Sequence, residues 1–188
     1  REAYDAAMAL QVATAQMCLN YAAYLEEADF FEESFRVFER TVALFSYPQV
    51  RVVWATYLDK FESRYEGTKL ERLRDLYEQA VKDVPATSDA VELYVKYARM
   101  EEKYGLSRHA IAIYDRATRA VPEDSRLDMY RLYIKKICTR MEPVKSRPAY
   151  ERAVQELGDD DACKICIDFA AMEAGLLEID RARAIFAH

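Results

Sequence analysis

The sequence predicts an all-α fold, a right-handed α-solenoid of antiparallel helix pairs, on three observations. Two aromatic series interleave with one period, apolar residues recur at helical spacing, and chain-breaking residues are scarce. The first series sets an aromatic before an acid: Tyr4-Asp5, Phe38-Glu39, Tyr77-Glu78, Tyr114-Asp115 and Tyr150-Glu151, closing on Phe186. The second sets aromatics three apart: Tyr21 and Tyr24, Trp54 and Tyr57, Tyr94 and Tyr97, Tyr130 and Tyr133, then Cys166 with Phe169. Successive members fall 34, 39, 37, 36 and 36 residues apart in the first series and 33, 40, 36 and 36 in the second. One period carried by two series means a two-helix unit, which cannot bury its own apolar face and so must stack on its neighbours. The chain of 188 residues holds only 4 glycines and 5 prolines, so its loops are short.

The elements follow in order. Residues 1–14 read as the second helix of a preceding unit, on Tyr4 with the small Ala7 three residues on. Unit 15–47 carries Tyr21 and Tyr24 on its first helix, then Phe38 and the small Thr41 on its second. Unit 48–85 opens after Pro48, carries Trp54 and Tyr57, turns at Gly67 and runs into LRDLYEQAVKDV, whose stripe is Leu73, Leu76, Tyr77, Ala80 and Val84, before Pro85 stops it. In unit 86–122 the stripe is Ala110, Ile113, Tyr114, Ala117 and Val121, with Gly105 between the helices and Pro122 after them. Gly67, Gly105 and Gly175 stand where a left-handed residue ends a first helix. Unit 123–158 has the irregular prolines: residues 141–145 read as a turn, with Pro148 tolerated in the first turn of a helix opened after Ser146, and Gly158 closes the unit. In the last unit, 159–188, the stripe Ala182, Ile185 and Phe186 would face an absent neighbour. With Arg1 in place of an initiator Met, the whole of 1–188 reads as a single solenoid fragment of a longer array.

Composition narrows the function classes. The chain is 52% hydrophobic and 12% aromatic, which excludes disorder. No run reaches a membrane span, and REAYDAAMAL has no basic region leading into an apolar one, so neither a membrane nor a secretory signal is expected. A net charge of -6 argues against holding a nucleic-acid backbone along the whole surface. Cys18, Cys138, Cys163 and Cys166 sit in apolar helical patterns, which fits a reducing, cytosolic or nuclear compartment, and Cys163 and Cys166 read as buried, inert thiols.

Motifs that carry chemistry are weak. The Cys163/Cys166 CxxC lacks both a βαβ context and two further zinc ligands. His109 and His188 are isolated, so no nucleophilic set assembles. Asp159, Asp160 and Asp161 lack calcium-loop spacing and read as acids at a helix N-terminus. Adjacent carboxylates such as Glu101-Glu102 diverge around a helix and cannot share a substrate. We therefore expect no catalytic residue, cofactor, metal or small-molecule substrate. Glu101 and Glu173, at the ends of first helices, are expected to form half-buried pairs with Arg108 or Arg181 of their own units. A basic cluster of Arg131, Lys135, Lys136, Arg140, Lys145 and Arg147 makes a local positive ridge that reads first as ordinary solvated surface, next as a site for an acidic protein, and last as one for RNA.

The strings ELYVKYARMEEKYG, LNYAAYLEEADFFEESFRVFERTVALF, KLERLRDLYEQAV, YGLSRHAIAIYDRATRAVP and EIDRARAIF resemble the half-a-tetratricopeptide (HAT) repeat, and specifically the XPA-binding-protein family of splicing scaffolds. The repeat signature then comprises Tyr24, Phe38, Trp54, Tyr57, Tyr77, Tyr94, Tyr97, Glu101, Tyr114, Tyr133, Tyr150, Phe169, Glu173 and Phe186. Ile137 departs from it, standing where Glu101 and Glu173 stand. The resemblance implies a nuclear, non-catalytic scaffold for pre-mRNA splicing that holds other spliceosomal proteins of the NineTeen complex, with an indirect or minor RNA contact and a family link to transcription-coupled repair. The competing reading is a tetratricopeptide-like (TPR) adaptor for acidic peptide tails, which wants a regular 34-residue period and inward-facing cations.

Overall fold

The computed structural model describes residues 13–187 together with Tyr4, Ala6 and Leu10. The expected Asp5 and Ala7 of the opening helix lie outside the described residues, as does His188. By internal contacts the chain falls into two compact units, Arg1–Pro85 and Ala86–His188, and the break coincides with an expected repeat border. Both are all-α, built from antiparallel helix pairs of the solenoid type, with no strand among the described residues.

The first unit holds α1 (Ala15–Glu27), α2 (Phe31–Leu44), α3 (Val50–Tyr65) and α4 (Leu70–Lys82). Each packs on the next, and the first helices α1 and α3 also touch. Thr14 caps α1, its Oγ1 accepting from the Met17 N–H at 3.2 Å. The buried stripe is Cys18, Tyr21, Ala22 and Leu25. Tyr24, expected in the signature, is instead 51% exposed. It stands about 100° around the helix from Leu25, so the inward pair of this repeat is Cys18 with Tyr21. Correcting that register makes the spacing to Trp54 and Tyr57 36 residues rather than 33. Between α2 and α3 the aromatics interlock: Phe38 stacks on Tyr57 at 5.1 Å between centroids, and Phe35 meets Phe61 at 5.2 Å. In α4 the helix ends at Lys82, so Val84 lies past it and Val81 is buried in its place.

The second unit holds α5 (Ser88–Tyr104), α6 (Ser107–Ala120), α7 (Glu123–Arg140), α8 (Arg147–Glu156), α9 (Asp159–Gly175) and α10 (Ile179–Phe186). The turn expected at 141–145 is in part helical, a 3-10 turn over Pro143–Ser146, and Ser146 is buried with its Oγ donating to the Pro143 carbonyl at 2.6 Å. Pro148 sits in the first turn of α8, as expected. All five stripe residues of the 86–122 unit are buried, including Val121 just past the end of α6. Thr41, Ala80, Ala117 and Ala153 are also buried, where small side chains let helices approach closely. Pro122 and Gly158, 36 residues apart, occupy the same N-cap position with nearly the same backbone angles. One register shifts: Ile165 is fully buried and Cys166 only half-buried, so Ile165 takes the place assigned to Cys166.

Of the three glycines expected to be left-handed, one is. Only Gly67 has positive φ, beside Glu66, while Gly105 has φ -108° and Gly175 is the last residue of α9. Asp29 and Leu177, both at φ 64°, make the other two reversals. Phe30 N–H donates to Leu25 O at 2.8 Å and Glu178 N–H to Glu173 O at 3.0 Å, with Asp29 to Glu26 and Leu177 to Ala174 inside them. Both are Schellman closures, which satisfy the last carbonyls and so hold a non-glycine residue in the left-handed region.

Candidate interaction surface

The apolar positions of the repeat form the interior. Phe38, Trp54, Tyr57, Tyr77, Tyr94, Tyr97, Tyr114, Tyr150 and Phe169 are buried, and Tyr133 packs partly buried against its unit's core. Tyr150 stacks on Phe169 at 4.7 Å, and burial pushes its hydroxyl up to about 12. Phe186 stands apart at 65% exposed, although Ala182 of the same stripe is buried and Ile185 packs inward.

The two signature glutamates are also interior. Glu173 is fully buried, and Arg147 Nε and Nη2 each donate to it at 2.7 Å. These hydrogen bonds hold its carboxyl below the ordinary value, against the burial that pushes it up. The expected partner, Arg181 of the same repeat, is farther away at 3.7 Å. The primary clasp therefore crosses from α8 of one repeat to α9 of the next. Glu101 is buried as well, with His109 Nδ1 at 3.7 Å.

The six cations expected to form one ridge divide into two sets. Arg131 pairs with Asp168 at 2.8 Å, Lys136 with Glu102 at 2.7 Å and Arg147 with Glu173, so three are committed to joining repeats. Lys135, Arg140 and Lys145 are exposed. Sequence reading missed the joining role of Lys136, and a signal for it existed. Lys60 pairs with Glu26 just as Lys136 pairs with Glu102, and both members recur 76 residues apart, two repeat periods. Between second helices, Arg72 reaches Glu39 at 2.7 Å and Arg152 reaches Asp115.

The remaining polar features stay local. Cys163 is exposed rather than buried, because the rotation of α9 that seats Ile165 carries it outward. All four cysteines are free, and no cluster of His, Cys, Asp and Glu among the described residues fits a metal. Asp159, Asp160 and Asp161 form the first turn of α9, behind the Gly158 cap, with Lys164 on Asp161 at 2.7 Å. No described helix is long and apolar enough to cross a membrane. Side chains that would do chemistry are dispersed, while charged pairs recur at repeat spacing: this is an α-helical repeat protein whose polar groups fasten one repeat to the next.

The sequence comparisons narrow that class. Residues 1–188 match the family described as the pre-mRNA-splicing factor Syf1/CRNKL1 C-terminal HAT repeat, and the chain belongs to this family. It is 49% identical over 183 residues to the pre-mRNA-splicing factor SYF1 of Rattus norvegicus, covering 97% of this chain and 21% of that protein. It is 49% identical over 188 residues to SYF1 of Mycosarcoma maydis, covering 100% and 17%, and 48% over 183 residues to human SYF1, covering 97% and 21%. The chain thus spans about one fifth of the length of these relatives.

Proposed function

We propose that the chain is a segment of a non-catalytic scaffold of pre-mRNA splicing, acting in the nucleus by holding other spliceosomal proteins, those of the NineTeen complex among them. The family match over residues 1–188 carries this reading. The dispersal of reactive side chains and the repeat-to-repeat ion pairs support it. The mechanism is additive: successive repeats each present surface to partners, which gain affinity from many weak contacts. The link to transcription-coupled repair is a property this reading assigns to the full-length protein. Arg140, Lys135 and Lys145 are the cations left for an acidic protein partner.

The TPR-like adaptor is less well supported, because Lys60 of the first helix α3 and Arg131 and Lys136 of the first helix α7 are engaged with Glu26, Asp168 and Glu102. The test is a crosslinking pull-down from nuclear extract with the full-length parent. Splicing proteins are the expected capture; chaperones without splicing proteins would overturn the proposal.

A further inference from the structure

We infer that the end of the second unit at which two first-to-second-helix turns emerge, residues 105–108 and 140–145, docks an acidic amphipathic segment of another protein. The inference deepens the scaffold reading and rests on it. Position comes first. The Lys136–Glu102 pair at 2.7 Å sets the last turn of α7 beside the last turn of α5. The turn that follows α5 and the 3-10 turn that follows α7 therefore emerge at the same end of the unit.

What they present is unusual for a solvated turn. Leu106 is 49% exposed, Met141 37% and Val144 44%. None of them belongs to a helix stripe, and each stands at a turn, where Gly, Pro, Asn, Asp and Ser are the usual residues. Arg108, Arg140 and Lys145 stand exposed among them, and no ion pair engages any of the three, whereas the neighbouring Lys136 and Arg147 are neutralised by Glu102 and Glu173. Glu142 is the one carboxylate within 140–145. The next turn along changes sign, with Glu178 and Asp180 exposed, so the basic, apolar stretch is bounded.

The chemistry selects the occupant. Exposed cations and exposed apolar side chains at one end of the unit complement a segment that carries carboxylates beside hydrophobic residues, the pattern of an amphipathic helix laid against a surface. A nucleic-acid backbone uses the cations but leaves Leu106, Met141 and Val144 uncovered, and the ring beside the stretch, Tyr104, is half-buried with Lys103 over it at 4.4 Å.

The test uses the whole chain and three probes followed by fluorescence anisotropy. The first is an 18-residue peptide with Leu at helical spacing and Glu elsewhere. The second has the same composition with the Leu positions scrambled, and the third is a single-stranded RNA. Two double variants, R140E with K145E and M141S with V144S, change only exposed side chains, and circular dichroism checks that each stays folded. The expected result is binding of the periodic acidic peptide about tenfold tighter than the scrambled one, weakened about tenfold by each double variant. Equal binding of the two peptides, indifference to either double variant, or RNA binding that displaces the peptide would overturn the inference. In the nuclear-extract pull-down, the quadruple variant of the full-length parent should lose a subset of the splicing proteins that wild type retains. Undiminished capture defeats the docking edge alone. Absence of splicing proteins even with wild type defeats the scaffold reading.

Discussion

Replacing Ile165 by Ala tests which residue of α9 belongs to the core. Ile165 is fully buried within the cluster of Tyr130, Ile134, Tyr150 and Phe169, whereas Cys166 beside it is half-buried. The substitution removes three buried carbons, worth about 0.8 kcal/mol each in transfer. The cavity left in the helix pair adds a smaller term of about 1 kcal/mol, so I165A should cost about 3–4 kcal/mol. C166A removes one partly exposed sulfur and should cost under about 1 kcal/mol. Equilibrium urea unfolding followed at 222 nm reads both. At a slope of about 2 kcal/mol per molar, the I165A midpoint should fall by about 1.5–2 M and the C166A midpoint by less than about 0.5 M. Comparable losses, or a larger loss for C166A, would show that the core of α9 follows the aromatic spacing rather than the observed rotation.

Other outcomes follow from the clasps and turns. Arg147 depresses the Glu173 carboxyl, so its contribution to stability is complete above the ordinary carboxylate value near 4.5 and is lost as pH falls below that toward the lowered folded value. E173Q should flatten that part of the acid-unfolding profile, while a profile as steep as wild type would remove the clasp from the account. L177G relieves the left-handed strain of about 1–2 kcal/mol but adds unfolded-chain entropy, and should gain about 0.5–1 kcal/mol in thermal unfolding. G175A, which meets no atom within 4 Å, should gain about 0.4–1 kcal/mol by the same assay. K136E should lose stability that K136E with E102K partly restores, with a coupling of about 1 kcal/mol in a double-mutant cycle.

The period and the second-helix stripes were legible because burial follows the sequence pattern directly: Ala110, Ile113, Tyr114 and Ala117 all face inward. The registers of α1 and α9 were not. A helix face accepts residues three or four positions to either side of a fixed anchor, so Cys18 against Tyr24 beside Tyr21, or Ile165 against Cys166 before Phe169, is decided by how far each helix rotates in its neighbours' grip. The Glu173 partner was hidden for a related reason. Arg147 is 26 residues away and Arg181 only 8, yet the stacking of successive repeats brings the distant guanidinium closer. The reversals at Asp29 and Leu177 evaded a search for glycine, since the Schellman hydrogen bonds outweigh the cost of a side chain there. The unpaired cations Arg140 and Lys145 were found by charge alone, but Leu106, Met141 and Val144 beside them were not, because isolated apolar residues in turns carry no periodic signal.

The charge pairs between successive helices also give the second unit a mechanical character. The Arg131–Asp168 tether is well exposed to water, so salt screens it, whereas the Arg147–Glu173 clasp has one partner sealed from solvent and keeps its hold. Raising ionic strength therefore slackens the first fastening before the second, and both lie on the border between the same two repeats. The same border thus carries one fastening that dilute salt strengthens and one that salt barely touches.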